Sequence, residues 1–265
     1  MPRTPRPSSA GAGDRYAYDA DGNTTERPDG STTQQLDRNS EGKLSRLTED
    51  PDGAARATDY IYGADGSLLI RRDTSAGGET VLYLGATEVH LKGGKTWANR
   101  YYTHGGETVA LCTNQSGTAK TSYLTGDQHG TGTVAITSDD QALTKRYLSP
   151  FGAERGDTTA NWPDDKAFLD NPTDTTTGLT HVGAREYDAA IGQFISVDPL
   201  LQTDIPQTLN RYGYAAQKPV TQADTSDSAW PAASGSASPA RPAPTAPPAT
   251  AAPTRPSSRC TPARA

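Results

Sequence analysis

The strongest alternation of hydrophobic and polar residues lies within residues 178–199. Residues 180–187 alternate well enough to predict one β-strand, and residues 193–197 predict a second. The segment between them, residues 188–192, is typical of a hairpin turn because it is rich in small residues and ends in glycine. Pro199 ends the second strand, since proline has no N–H group to donate to a neighbouring strand.

A second pattern repeats along the first seventy residues. Two segments match closely and a third is a weaker copy: YAYDADGN at 16–23, YIYGADGS at 60–67 and QLDRNSEGKL at 35–44. The marker glycines Gly22, Gly42 and Gly66 are separated by 20 and 24 residues. This spacing predicts an array of hairpins, each with an acidic turn that contains glycine. We expect a type I′ turn at each hairpin tip, and tyrosine side chains that stack on the next unit.

Further strands are predicted between residues 79 and 147. The candidate strands are residues 81–84, 87–91, 100–103, 108–112 and 133–137. Glycine pairs that begin at Gly77, Gly93 and Gly105 predict hairpin turns between some of them.

Composition supports an all-β protein without a thick core. Hydrophobic residues make up 33% of the chain, with only 3 Phe but 12 Tyr, 26 Gly and 20 Pro. This mixture favours short strands joined by turns over helices. Residues 1–14 are rich in Pro, Ser, Gly and Ala, and 31 of the last 38 residues are Ala, Pro, Ser or Thr. We expect both termini to be disordered because such segments cannot bury a core.

Charge and hydropathy narrow the possible partners. The net charge is −6 and every acidic residue lies at or before Asp227, so nucleic-acid binding is not expected. No run of 18 apolar residues exists, and we expect no membrane insertion. The first residues, MPRTPRP, lack an apolar stretch, so no signal peptide is predicted.

Three segments carry a resemblance to a known family. These segments are AREYDAAIGQFISVDP at 184–199, LNRYGYA at 209–215 and KPV at 218–220. In this order they resemble the RHS repeat-associated core domain, which closes the YD-repeat shell of RHS, Tc-toxin C-subunit and teneurin-like proteins. The turn at residues 127–131 and the PFG sequence at 150–152 are similar to the connections that precede that domain.

The resemblance implies a fold and a domain organisation. We expect a YD-repeat β-hairpin array, forming part of a β-shell, over residues 15–160, and the core domain as a plug over residues 161–227. The relatives implied are secreted or cell-surface proteins. The expected partners are the remainder of a YD-repeat shell or an encapsulated toxin polypeptide. The tail at 228–265 does not have the composition of a toxin domain, and the chain would then be a C-terminal fragment of a longer shell protein.

The resemblance also implies one reaction, an aspartic self-cleavage near residues 224–230. Such a reaction needs two carboxyl groups that share a site, one ionised and one protonated. Asp198 is the first candidate, with Asp188 or Asp204 as its partner and Arg185 to hold an ionised carboxylate. Each residue also has a structural interpretation, since Asp is common at strand ends and turns. The Asp-Pro-x-Gly-Leu cleavage sequence of the family is missing here.

No cofactor or metal is expected, because the four histidines show no ligand spacing. Three functions follow from the sequence: a shell fragment, an active aspartic autoprotease, or a cell-surface adhesion or carbohydrate-binding module. The first is favoured, since repeat stacking explains the tyrosines more simply than a binding face.

Overall fold

A computed structural model describes residues 16–30, 32–50, 55–156, 162–198 and 209–223. Within these residues all strand pairs are antiparallel, and the strands form two sheets of thirteen and four strands. The prediction of an all-β protein is confirmed. The terminal segments for which we predict disorder lie outside the described residues.

The large sheet is a meander in which each strand pairs with its neighbours in sequence. It is not closed, because β1 and β13 are its two outermost strands. Its strands are β1 (Ala17–Tyr18), β2 (Thr24–Asp29), β3 (Thr32–Arg38), β4 (Leu44–Glu49), β5 (Arg56–Tyr62), β6 (Leu68–Asp73), β7 (Glu79–Leu84), β8 (Thr87–Lys92), β9 (Lys95–His104), β10 (Glu107–Thr113), β11 (Lys120–Gly126), β12 (Gly132–Thr137) and β13 (Leu143–Lys145).

The repeat turns are not of type I′, contrary to our prediction. That type needs positive φ at both central residues, but only the marker glycines have it, at 95° for Gly22, 79° for Gly42 and 82° for Gly66. An Asx side chain organises the turn instead. Oδ1 of Asp19, and likewise of Asn39, accepts hydrogen bonds from backbone N–H groups two and four residues later.

A β-bulge follows each of these turns and changes which residues face inward. The strand pairing skips Thr25, Ser45 and Leu69. One extra residue converts the alternation of every second residue into a spacing of three. Leu44 and Leu47 are therefore both buried on the same face of β4. The residue five positions after each marker glycine always points inward.

Two of the three predicted glycine pairs form tight two-residue hairpin turns; at the third, Gly77 but not Gly78 has positive φ, within the longer connection between β6 and β7. Gly93 and Gly94 both have positive φ between the paired residues Lys92 and Lys95. The pair that begins at Gly105 behaves in the same way between β9 and β10. This prediction is confirmed at both positions.

The small sheet lies within residues 162–223, called here the core segment. Its strands are β14 (Thr173–Asp174), β15 (Leu179–Val182), β16 (Arg185–Asp188) and β17 (Gln193–Phe194). The single strand predicted at 180–187 is wrong, because a turn at Gly183, whose φ is 65°, divides it into β15 and β16. Alternation continues across such a two-residue turn, so the hydrophobic pattern does not reveal it.

The small sheet separates two hydrophobic clusters. The leucine cluster joins both sheets and contains Leu36, Leu44, Leu47, Tyr60, Leu68, Leu179 and Ile195. The aromatic cluster lies within the core segment and contains Phe168, Leu169, Val182, Tyr187, Phe194, Tyr214 and Ala215. Phe194, the last residue of β17, and Ile195, which follows it, thus face opposite sides of the small sheet, as in extended backbone. One face of the small sheet packs on the large sheet and the other covers an interior of its own.

Candidate functional site

Three equivalent positions of the repeat point from the large sheet towards the core segment. They are Arg27 on β2, Leu47 on β4 and Arg71 on β6, each five residues after its marker glycine. The Arg27 and Arg71 side chains are only 6% and 7% exposed. Buried cations are unfavourable unless they meet carboxylates or other acceptors.

The small sheet supplies the matching acceptors in one cross-strand row. Asp174 pairs with Leu179, and Leu179 pairs with Asp188. The Nη1 atom of Arg27 lies 2.6 Å from Oδ2 of Asp188, and Nη1 of Arg71 lies 2.6 Å from Oδ1 of Asp174. Leu179, between the two carboxylates, enters the leucine cluster. Arg27, Leu47 and Arg71 of the large sheet therefore face Asp188, Leu179 and Asp174 of the small sheet.

Further hydrogen bonds satisfy several polar atoms of these ion pairs, whereas the buried Nε of Arg71 has no hydrogen-bond partner. Arg27 Nε donates to Gln34 Oε1 at 2.6 Å, and its Nη2 donates to the Thr177 carbonyl oxygen. The Tyr60 hydroxyl donates to Asp174 Oδ2 at 3.0 Å. A buried ion pair needs such additional partners to offset desolvation. The contacts define one docking position for the core segment.

Two other arginines, which lie outside the core segment, donate hydrogen bonds to its backbone carbonyl oxygens. Arg38 Nη2 donates to the Ile195 carbonyl at 3.0 Å, and Arg146 Nη1 donates to the Lys166 carbonyl at 2.8 Å. Arg146 also stacks on Trp162, with its guanidinium carbon 3.8 Å from the ring centre. The core segment is thus contacted by arginines of β2, β3 and β6 and by Arg146, which directly follows β13.

Asp198 lies four residues beyond the end of β17. Its Oδ2 is 3.4 Å from Nη2 of Arg185, and its side chain is 32% exposed. Arg185 is buried and stacks on Phe194, with its guanidinium carbon 3.7 Å from the ring centre. The arrangement places a fixed cation beside a carboxylate that water can reach.

The structure brings some of the predicted site residues together. Arg185 and Asp198 are in contact, as described above. The carboxylate of Asp188 binds Arg27 instead, and its second oxygen accepts from the Ala190 N–H at 3.0 Å. Asp204 lies outside the described residues. The catalytic assignment of these residues stays a prediction.

An acidic cluster that we do not predict from the sequence lies between the large sheet and residues 164–166. Arg71 Nη2 is 3.3 Å from Asp165 Oδ2 and 3.7 Å from Glu79 Oε2. His90 Nδ1 is 3.2 Å from Glu79 Oε1, and His90 Nε2 is 3.6 Å from Glu88 Oε2. The cluster thus combines carboxylates of β7 and β8 with those of the core segment.

Burial changes the protonation of this cluster. Burial raises the pKa of Asp164 to about 7, and the charge of Asp165 adds to the effect. Burial also raises the pKa of Asp165, assisted by Glu88. For His90, burial opposes the charged ring, but hydrogen bonds to Glu79 and Glu88 outweigh it and raise the pKa to about 9. The interface therefore binds protons at neutral pH.

The sequence contained a usable signal for the docking arginines but not for their acceptors. Arg27 and Arg71 share one repeat position, and a buried position occupied by arginine predicts an acidic partner. Nothing in the local sequence indicates that Asp174 is that partner. Within the described residues, no group of three or more His, Cys, Asp or Glu side chains is placed to hold a metal ion. No helix in this part of the chain has the length and hydropathy to cross a membrane.

These features define a class of protein: a β-hairpin repeat wall with a compact core segment docked on its inner face. The family described as Teneurin YD-shell matches residues 6–220. The chain therefore belongs to the teneurin YD-shell family. A comparison with curated proteins found no match.

Solved structures share the fold. A TcdB2-TccC3 crystal structure has a TM-score of 0.62 and 22% identity, covering 79% of this chain and 11% of that chain. TcdB2-TccC3-TEV gives a TM-score of 0.64 and 24% identity over 79% and 11%. TcdB2-TccC3 without its hypervariable C-terminal region gives 0.60 and 20% over 72% and 10%. The chain thus spans about a tenth of the length of the solved chains it matches.

Breaking the buried Arg27–Asp188 ion pair should destabilise the fold far more than breaking a more exposed ion pair of similar length. We expect Asp188→Asn to lower the free energy of unfolding by about 3–5 kcal/mol, because it leaves Arg27 charged and buried. The matched control is Asp59→Asn, which removes more exposed contacts to Arg46 and Arg72, both at 2.7 Å, and should cost about 1 kcal/mol or less. Urea unfolding measures both, and equal losses would contradict the docking role of Asp188.

Stability should fall as pH rises. Between its ordinary pKa of 3.8 and about 7, folded Asp164 keeps a proton that the unfolded chain releases. His90 acts in the same direction between 6.5 and about 9. Asp164→Asn should remove the pH dependence of the free energy of unfolding in the first of these pH ranges. Asparagine stays neutral, and its side-chain oxygen can still accept a hydrogen bond from Trp162 Nε1.

Urea midpoints of the wild type and Asp164→Asn at pH 4 to 9 provide the measurement. Asp21→Asn, at an exposed turn position, should keep the wild-type slope. If Asp164→Asn also kept the wild-type pH dependence of the urea midpoint, Asp164 would not be the group that binds the proton.

Proposed function

We propose that the chain forms part of the wall of a YD-repeat shell that encloses a polypeptide. The observation that carries this proposal is the open meander of thirteen strands. A repeat array of this kind is stable when a neighbour covers each exposed face or edge. The outermost strands β1 and β13 have one pairing partner each among the described residues, and further shell strands would supply the other.

The enclosed guest is a toxin or effector polypeptide. Support comes from membership of the YD-shell family and from the fold shared with TcdB2-TccC3. One of those solved structures is described as lacking a hypervariable C-terminal region. We assign the guest to a similar position, after the core segment.

The outermost strand β13, which pairs only with β12 among the described strands, should make the isolated chain associate. Leu143 on the outermost strand β13 is 56% exposed, and a charge on an edge strand disfavours pairing with another chain. We expect the wild type to sediment as more than a monomer, and Leu143→Lys to reduce that association. Leu91→Lys is the matched control, because Leu91 is 47% exposed on the interior strand β8.

Analytical ultracentrifugation over a range of protein concentrations measures both variants. A wild-type chain that stays monomeric at high concentration and melts cooperatively would argue against the wall function.

Self-cleavage is the second candidate function, and the Arg185–Asp198 contact favours it. The guanidinium of Arg185 lies 3.4 Å from the Asp198 carboxylate, and the 32% exposure of the Asp198 side chain gives it access to water. The cut would fall at residues 224–230, beyond the core segment. No contact within the described residues favours the adhesion or carbohydrate-binding alternative, which stays a prediction.

The chemical step is hydrolysis of one peptide bond. The ionised carboxylate takes a proton from water as the water oxygen bonds to the peptide carbon. A second, protonated carboxyl group gives its proton to the leaving nitrogen as the C–N bond breaks. The products are a new carboxyl terminus and a new amino terminus. Asp188 and Asp204 are the two candidates for the second carboxyl group; Asp188 is paired with Arg27 and would have to leave that pair to carry a proton, and Asp204 lies outside the described residues.

Loss of Asp198 should abolish this reaction. We expect wild-type protein to yield a shortened chain that ends within residues 224–230 over days at mildly acidic to neutral pH, and Asp198→Asn to stay intact. Asp21→Asn should be cut at the wild-type rate. Intact mass spectrometry follows the products, and a wild-type chain that remains whole at every pH would rule out self-cleavage.

A further inference from the structure

Asp198 is tied to Arg211 by three hydrogen bonds. The Asp198 amide N–H donates to the Arg211 carbonyl oxygen at 2.9 Å. In return, Nε and Nη2 of Arg211 both donate to the Asp198 carbonyl oxygen, at 2.8 and 2.5 Å. The planar fork of a guanidinium suits such a double donation, which a lysine ammonium cannot reproduce. Both backbone polar groups of Asp198 are thus held by one residue.

Asp198 lies beyond the end of β17, where the strand ladder has stopped. Pro199, which follows it, has no N–H group to join a strand ladder. The Asp198 side chain is 32% exposed. Its contact with Arg185 is long for an ion pair, at 3.4 Å. Because a single methylene group joins the carboxylate to the backbone, the backbone that Arg211 holds helps to set the direction of the carboxylate.

The short segment that carries Arg211 is anchored to both sheets through the next residue, Tyr212. Tyr212 accepts a hydrogen bond from the Phe194 N–H at 2.9 Å through its carbonyl oxygen. The Tyr212 hydroxyl donates to the carbonyl oxygen of Gly22 at 2.5 Å. Gly22 is the marker glycine of the first repeat turn. The segment that carries Arg211 is thus pinned between β17 and the large sheet.

We propose that Arg211 is a positioning residue for Asp198. It fixes the direction in which the Asp198 carboxylate leaves the backbone, and it touches no reacting atom. This inference rests on the proposed self-cleavage, because the fixed carboxylate is the one that would accept the proton from water. Arg185 faces the carboxylate, whereas Arg211 holds the backbone behind it.

Two substitutions of Arg211 test the proposal in the full chain. Arg211→Met removes both donors, and Arg211→Lys restores a single cationic donor. We expect about a tenfold or greater loss of cleavage rate in Arg211→Met, because misplacement of a reacting group by an ångström costs up to a hundredfold. Arg211→Lys should recover part of the rate. Arg72→Met is the control, since Arg72 is 53% exposed on the large sheet.

Two structural readouts separate positioning from loss of folding. The thermal midpoint of Arg211→Met should stay close to that of the wild type. Amide exchange measured by NMR should accelerate at Asp198 but not in β15, which serves as an internal reference. A Met variant that is cut at the wild-type rate would overturn the proposal. So would a lower midpoint with faster exchange throughout the small sheet, which would make the role of Arg211 purely structural.

A wild-type chain that stays whole removes the self-cleavage function without deciding this question. The exchange rate of the Asp198 amide then decides it. Faster exchange confined to Asp198 in Arg211→Met would uphold the positioning role, and unchanged exchange would overturn it.

Discussion

The structure depends on the requirement that buried arginines meet carboxylates. Arg27 and Arg71 project from equivalent positions of the repeat and cannot remain unpaired in an apolar interior. Asp188 and Asp174 satisfy them from the small sheet. Because both pairs must form together, the core segment has one position and one register on the large sheet. The leucines between the pairs supply non-directional stabilisation, and the ion pairs supply the specificity.

Because buried arginines need carboxylate partners, the two aspartates that the family motif suggests for catalysis, Asp188 and Asp198, lie in different environments. Asp188 is buried and engaged by an arginine of the large sheet, which is the environment of a structural ion pair. Asp198 is partly exposed and lies beside Arg185, which comes from its own small sheet. Arg211 holds the backbone of Asp198 through the Asp198 carbonyl oxygen. The docking interface and the proposed reaction site are therefore adjacent but use different cations.

Protonation couples to docking at a second location. Asp164 and His90 both retain protons near neutral pH, but for opposite reasons. Burial disfavours the charged form of Asp164, whereas hydrogen bonds to carboxylates favour the charged form of His90. Each effect stabilises the folded state at lower pH. A shell wall built on this interface would hold its core segment most firmly in mildly acidic conditions.

The sequence by itself determined the all-β class, the hairpin repeats and the glycine turns, because period-two alternation and positive-φ glycines are local properties. It did not determine the bulge after Gly42, which brings Leu44 and Leu47 to the same face. Only the tertiary structure paired Arg27 with Asp188, 161 residues later. Local patterns specify which residue is buried, but the partner of a buried charge depends on how distant segments pack.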